Sequence, residues 1–140
     1  NVTIMRRVMY RIAEKGLKKQ KCLAIFNGES IGQVASHTFT SMSVINEVTN
    51  RLIISPVACF DKLEVNDIAK KIDTYDISIL PYEDCCTIFV PEHPVINPQM
   101  AEVLKYEQTF TFDNLIDECI NNINTMVIED TNDLVDNDLL

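Results

Sequence analysis

Two stretches of this 140-residue chain hold residue types that can do chemistry. The first is Pro81-Tyr82-Glu83-Asp84-Cys85-Cys86-Thr87-Ile88-Phe89-Val90-Pro91-Glu92-His93-Pro94. A thiolate on a loop is a nucleophile whose reactivity depends on exposure and electropositive surroundings. Glu83 and Asp84 raise a neighbouring thiol pKa, so a cation from the chain or a bound substrate has to compensate. Adjacent cysteines make poor zinc ligands, because such sites use spaced pairs, and His93 does not complete a set. No metal is expected, and a vicinal disulfide would be strained. Cys22, Cys59 and Cys119 lie in apolar contexts and read as inert core residues.

The second stretch is Phe26-Asn27-Gly28-Glu29-Ser30-Ile31-Gly32-Gln33-Val34-Ala35-Ser36-His37-Thr38. It follows a short apolar run, Cys22–Phe26. Gly28 can take φ > 0 and lets a ligand approach the backbone. Ser30 suits the N-cap of a helix starting at once. In open parallel α/β sheets, ligands bind beyond the carboxyl ends of strands, where helix N-termini offer N–H groups. The stretch therefore reads as a phosphate- or nucleotide-facing crossover, and an ordinary strand-to-helix turn has the same local pattern. His37 suits either a ligand contact or a buried polar helix end.

The elements that position these stretches follow from periodicity. Residues 3–15 read as a helix with Met5, Val8, Met9 and Ile12 inward, a basic rim of Arg6, Arg7 and Arg11, and Gly16 weakening or ending it. Cys22–Phe26 reads as a buried parallel strand and Leu52–Ile54 as the next strand, limited by Pro56, with short helices over 31–37 and 41–49 between them. The second of these helices turns Met42, Ile45 and Val48 to one face. Asp61 and Glu64 have capping-box spacing before a helix with Val65, Ile68, Ala69 and Ile72 inward. Asp73-Thr74 breaks it, and Ile77–Leu80 reads as a short strand or extended connection. A proline-rich loop spans 81–98, followed by a helix over Gln99–Tyr106. Asp113 caps another, with Leu115, Ile116, Cys119, Ile120 and Ile123 inward, and a mobile acidic tail is expected from Asn124 onward.

Helices alternating with short strands indicate an α/β fold with a parallel sheet. The length suits one domain, and 46% hydrophobic residues supply a core. No apolar run approaches the roughly 18 residues of a membrane helix. Five cysteines without framework spacing fit a reducing, cytoplasmic compartment. The net charge of −9 conceals a basic beginning and an acidic end, so the front could face polyanions. With two or three strands visible and no initiator Met, a missing N-terminal portion is expected.

Four blocks are similar to the ThiI-type tRNA 4-thiouridine sulfurtransferases, in order and at family spacing over roughly residues 1–100. They are Arg6-Arg7-x-Met9-x-Arg11-Ile12, Gly28-Glu29-Ser30-x-Gly32-Gln33-Val34-Ala35-Ser36, Asp61-Lys62-x-Glu64-x-x-x-Ile68-Ala69 and Pro81-Tyr82-Glu83-Asp84-Cys85-Cys86-Thr87. The resemblance implies that residues 1–110 form the C-terminal half of a PP-loop ATP pyrophosphatase domain, Rossmann-like and of the adenine nucleotide α-hydrolase type. Residues 111–140 then form a C-terminal helix and tail. The SGGxDS loop and RNA-binding domains of the family are not in this sequence, so the isolated piece is expected to be inactive. ATP, with Mg, would meet Arg6, Gly28 and His37, the last standing where the family has Gln. Asn27 replaces a common Thr, Asp73 a Gly and Ser55 an Arg. Cys85 matches the catalytic cysteine, with Cys86 a possible second thiol. The implied reaction adenylates O4 of a tRNA uridine and replaces it with persulfide sulfur from a cysteine desulfurase; sulfur for the thiamine thiazole is a second role. An open sheet edge implies a homo-oligomer, and no membrane partner is expected. The competing readings are a non-catalytic nucleotide-binding or interaction module, and a redox protein using Cys85-Cys86.

Overall fold

The computed structural model describes residues 2–34, 37–82 and 95–127. Cys85, Cys86, His93 and the end of the acidic tail lie outside the described residues.

Helix α1 (Val2–Gln20) is the element on which the others pack. It touches strand β1 (Ala24–Phe26), helix α2 (Phe39–Asn46), helix α5 (Met100–Glu107) and helix α6 (Asp113–Asn121). Strand β2 (Leu52–Ile54) pairs parallel with β1 in the register Ala24↔Leu52, Ile25↔Ile53, Phe26↔Ile54. Parallel pairing needs a crossover, supplied by the segment that contains α2. Helix α3 (Lys62–Lys71) and the one-turn helix α4 (Tyr75–Ser78) pack on each other. The α/β class with a parallel sheet is as expected, whereas Ile77–Leu80 is helical at its start, not a strand.

The buried face of α1 differs from the expected one. Thr3, Arg7, Tyr10 and Leu17 are buried, while Met5 and Met9 are exposed. Apolar counting fails here because an arginine occupies the centre of the core. Arg7 is 1% exposed, and its guanidinium meets both oxygens of Glu107 on α5, at 3.0 and 3.2 Å. It also donates to Glu47 at 3.2 Å and to the Val44 carbonyl. Arg11 grips the same Glu107 carboxylate with two bonds of 2.8 Å. A buried charge is tolerable when it is paired and fully hydrogen-bonded. The buried apolar residues among those described are Tyr10, Leu17, Val44, Ile45, Val103 and Ile116.

The basic beginning and acidic end of the chain therefore meet each other. Lys15 pairs with Asp117, and Lys19 donates to the Ile120 carbonyl at 2.8 Å. Two of the three arginines of the expected rim are turned onto Glu107, so no open polybasic face remains there.

Helix ends follow local chemistry. Asp61 accepts from the backbone of Leu63 and Glu64, and Glu64 returns a bond to the Asp61 N–H, completing the capping box. Gly16 does not stop α1. A Cβ built there would meet Ile120 at 3.8 Å, so α6 lies over that glycine. The stop comes at Lys21, φ 56, with Cys22 N–H on the Leu17 carbonyl at 2.9 Å, a Schellman ending. Asp113 is the first helical residue of α6 and not its cap, which is Phe112. On α6 Ile116 alone is buried; Leu115 and Cys119 are exposed, and so are Cys22 and Cys59. The inert-core reading of these three thiols is thus overturned. The sheet is too small and α6 too peripheral to cover them.

Candidate functional site

Beyond the carboxyl ends of β1 and β2 the chain builds a polar corner. Asn27 N–H extends the ladder by bonding the Ile54 carbonyl at 3.0 Å. The following segment then crosses to the loop after β2. Ile31 N–H bonds the Ala58 carbonyl at 2.9 Å, and Ser30 Oγ donates to the Phe60 carbonyl at 2.6 Å. Ser30 is therefore a buried strut rather than a helix cap. Residues 31–34 form turns, because their hydrogen bonds go to that loop and back to His37 instead of along a helix. The positive φ falls at Gly32, φ 78, and not at Gly28. Its N–H bonds the His37 carbonyl at 2.9 Å.

Gly28 is open: a Cβ built on it would meet no atom within 4 Å among the described residues. Arg6 reaches the same turn from α1 and pairs with Glu29, both side chains largely buried. Burial lowers the Arg6 guanidinium below its ordinary value, with Tyr10 offsetting part of the effect. Tyr10, one turn along α1, donates from its hydroxyl to Glu29 Oε1 at 3.2 Å. It accepts from Asn27 Nδ2 at 2.7 Å, and Asn27 Oδ1 accepts the Glu29 N–H at 3.3 Å. Glu29 Oε2 is buried without a hydrogen-bond partner among the described residues.

His37 closes the other side. Its Nδ1 lies 2.9 Å from the Ser30 carbonyl, which can only accept, so Nδ1 carries the proton. Burial and then the charge of Arg6 lower the His37 pKa, against the raising effect of the Ser30 bond. The ring is thus neutral at pH 7, and Nε2, with no partner among the described residues, is an acceptor. Immediately after it, Thr38 caps α2, and both Thr38 Oγ1 and Ser41 Oγ donate to the Ile96 carbonyl, at 2.9 and 3.0 Å. The far end of the 81–98 segment is anchored beside the corner by these bonds.

Arg6, Gly28 and His37 are accordingly neighbours of one corner. Tyr10, Asn27 and Glu29 were not singled out as site residues from the sequence. The available signal was the i, i+4 spacing of Arg6 and Tyr10, which puts both on one face of α1.

The family model described as thiamine biosynthesis protein (ThiI) matches residues 1–112. The chain belongs to the ThiI family. Relatives named probable tRNA sulfurtransferase include those of Halothermothrix orenii, 53% identical over 121 residues, and Moorella thermoacetica, 47% identical over 134. These matches take in 85% and 96% of this chain but 31% and 34% of the relatives. The ThiI chain thus spans about a third of the length of the curated relatives it matches. Among solved structures, it superposes on a 4-thiouridine synthetase in complex with RNA and bound ATP, with TM-score 0.83 and 39% identity. That match covers 91% of this chain and 33% of the other.

Proposed function

We propose that this chain is part of a tRNA uracil 4-sulfurtransferase and that its polar corner contacts ATP. The observation that carries the reading is the Arg6–Gly28–His37 corner beyond the carboxyl ends of parallel strands, in a chain similar to a synthetase bound to RNA and ATP. The chemistry of the corner suits that nucleotide. Arg6 offers a guanidinium to phosphate oxygens. Gly28 admits close approach to the backbone. His37 Nε2 and the orphaned Glu29 Oε2 are acceptors for the amine or hydroxyl groups that ATP carries. Mg²⁺ would come with the nucleotide's phosphates.

In the reaction this reading entails, uridine O4 attacks the α-phosphorus of ATP and pyrophosphate leaves. The terminal sulfur of a persulfide then bonds to C4 as AMP departs with the former O4. A thiolate attacks the inner sulfur and breaks the S–S bond, leaving 4-thiouridine and a disulfide. Cys85 either carries the persulfide or attacks it, and Cys86 is the adjacent thiol for the other role. tRNA is the substrate and a cysteine desulfurase the sulfur source, in the cytoplasm. Sulfur for the thiamine thiazole draws on the same persulfide. We further propose that the chain self-associates.

The test is ATP binding by the full-length protein. Arg6→Ala should weaken it about tenfold or more, the scale of a charge-assisted hydrogen bond. Binding should also weaken as pH falls below 6.5, the ordinary His value, because protonated His37 loses its acceptor and repels Arg6. His37→Gln should remove that pH dependence. Unchanged affinity in Arg6→Ala would contradict the reading.

A further inference from the structure

We propose that Tyr10 and Asn27 are positioning residues of the corner, fixing the Arg6 guanidinium against the Gly28 turn through Glu29. This rests on the nucleotide-binding reading above and goes beyond it by assigning residues that act through Glu29 and Arg6.

The hydrogen bonds form a closed ring between α1 and the turn after β1. The Tyr10 ring is 6% exposed, so its hydroxyl needs partners inside the protein. It has one proton to give, to Glu29 Oε1, and it receives one from the Asn27 amide. The Asn27 carbonyl oxygen is held in turn by the Glu29 N–H, which fixes which way the amide points. Glu29 Oε1 thereby has a set position, and it is the oxygen paired with Arg6. An arginine side chain left loose would have to give up many rotamers when a phosphate arrived. A ring formed during folding removes that cost from binding. Asn27 has both groups the ring uses, an amide N–H for Tyr10 and a separate oxygen for Glu29. A threonine hydroxyl, which can also donate once and accept, would have to serve both partners from one atom instead of two. Tyr10 and Asn27 thus make the turn of this chain a preformed seat for the guanidinium.

The experiment measures ATP affinity by calorimetry, and KM and kcat for tRNA thiolation, in the full-length protein. The variants are Tyr10→Phe, Asn27→Ala, Arg6→Ala and the Tyr10→Phe/Arg6→Ala double. Positioning predicts that Tyr10→Phe, which removes one bond to a charged group, raises Kd and KM for ATP about tenfold, and that Asn27→Ala, which removes two bonds between neutral groups, raises them by about fivefold to tenfold, with kcat unchanged in both. In the Arg6→Ala background, Tyr10→Phe should then add nothing, because the residue it positions is gone. Additive effects in both backgrounds, with a lowered melting temperature and kcat, mean a merely structural role and overturn the proposal. Tyr10→Phe retains the buried ring, and Asn27→Ala gives an independent reading at a less buried site. If Arg6→Ala itself leaves ATP binding intact, the nucleotide reading fails. If it weakens binding while Tyr10→Phe and Asn27→Ala do not, positioning alone fails.

Discussion

Arg6 and Arg7 leave α1 about 100° apart around its axis and meet different partners. Arg6 goes to the corner and Glu29, whereas Arg7 goes inward to Glu107, Glu47 and the Val44 carbonyl. Removing the Glu107 carboxylate strands a buried guanidinium. Glu107→Ala should cost about 3 kcal/mol, the low end for breaking a buried pair, because Glu47 and Val44 remain. Opening of α1 and α5 amides by hydrogen exchange in the full-length protein measures this. Burial pushes the Glu107 carboxyl up, but hydrogen bonds and charge from Arg11 and then Arg7 outweigh it and bring the pKa below 4.5. The stability it contributes is therefore complete above the ordinary value and is lost as pH falls through the depressed folded one. Glu107→Gln should flatten that part of the acid profile. Gly28 and His37 stood out in the sequence because they share one short stretch, whereas Arg6 was assigned through the family resemblance. Glu107 was not, since its partner Arg7 lies 100 positions away and a buried arginine breaks the apolar count.

At the scale of elements, the Asp61–Glu64 capping box and the parallel strand pair held, whereas the Ser30 and Asp113 caps and the Gly16 stop did not. The Asp61–Glu64 box was readable because both bonds lie inside it. Ser30 was misread because the carbonyl it serves belongs to Phe60, after a second strand. Helices α1 and α3 both end in Schellman turns with a side chain at positive φ: Lys21 at 56 and Asp73 at 57. Thr74 N–H bonds the Ala69 carbonyl at 3.0 Å, as Cys22 does Leu17. Left-handed backbone costs an L-residue about 1–2 kcal/mol, less for Asp. Lys21→Gly should therefore stabilise by about 1 kcal/mol and Asp73→Gly by about half that. Slower amide exchange at the last turns of α1 and α3 is the expected readout, and faster exchange would contradict the capping account.

For the whole molecule, the sheet formed by the described residues has two strands, and such a sheet is marginal in water without further cover. Leu23, Phe26 and Leu52 are largely exposed at the strands. Ile4, Met5, Val8, Met9, Ile12 and Phe112 line a groove of about 500 Å³ along α1. The periodicity that sent Met5 and Met9 to a core did find an apolar face, but one that the described residues leave open. Residues 1–140 expressed alone should accordingly sediment as a dimer or larger, and Met9→Lys should shift them towards monomer. A monodisperse wild-type monomer would count against self-association.

The central claim is sulfur transfer to tRNA, and 4-thiouridine content tests it most directly. Cells lacking their own enzyme would receive the full-length gene as wild type, Cys85→Ser or Cys86→Ser, with protein levels checked and nucleosides quantified. The account predicts 4-thiouridine with wild type and none with Cys85→Ser; loss with Cys86→Ser as well would mean that the two thiols act together. Undiminished 4-thiouridine in both mutants, or none with wild type, would contradict it.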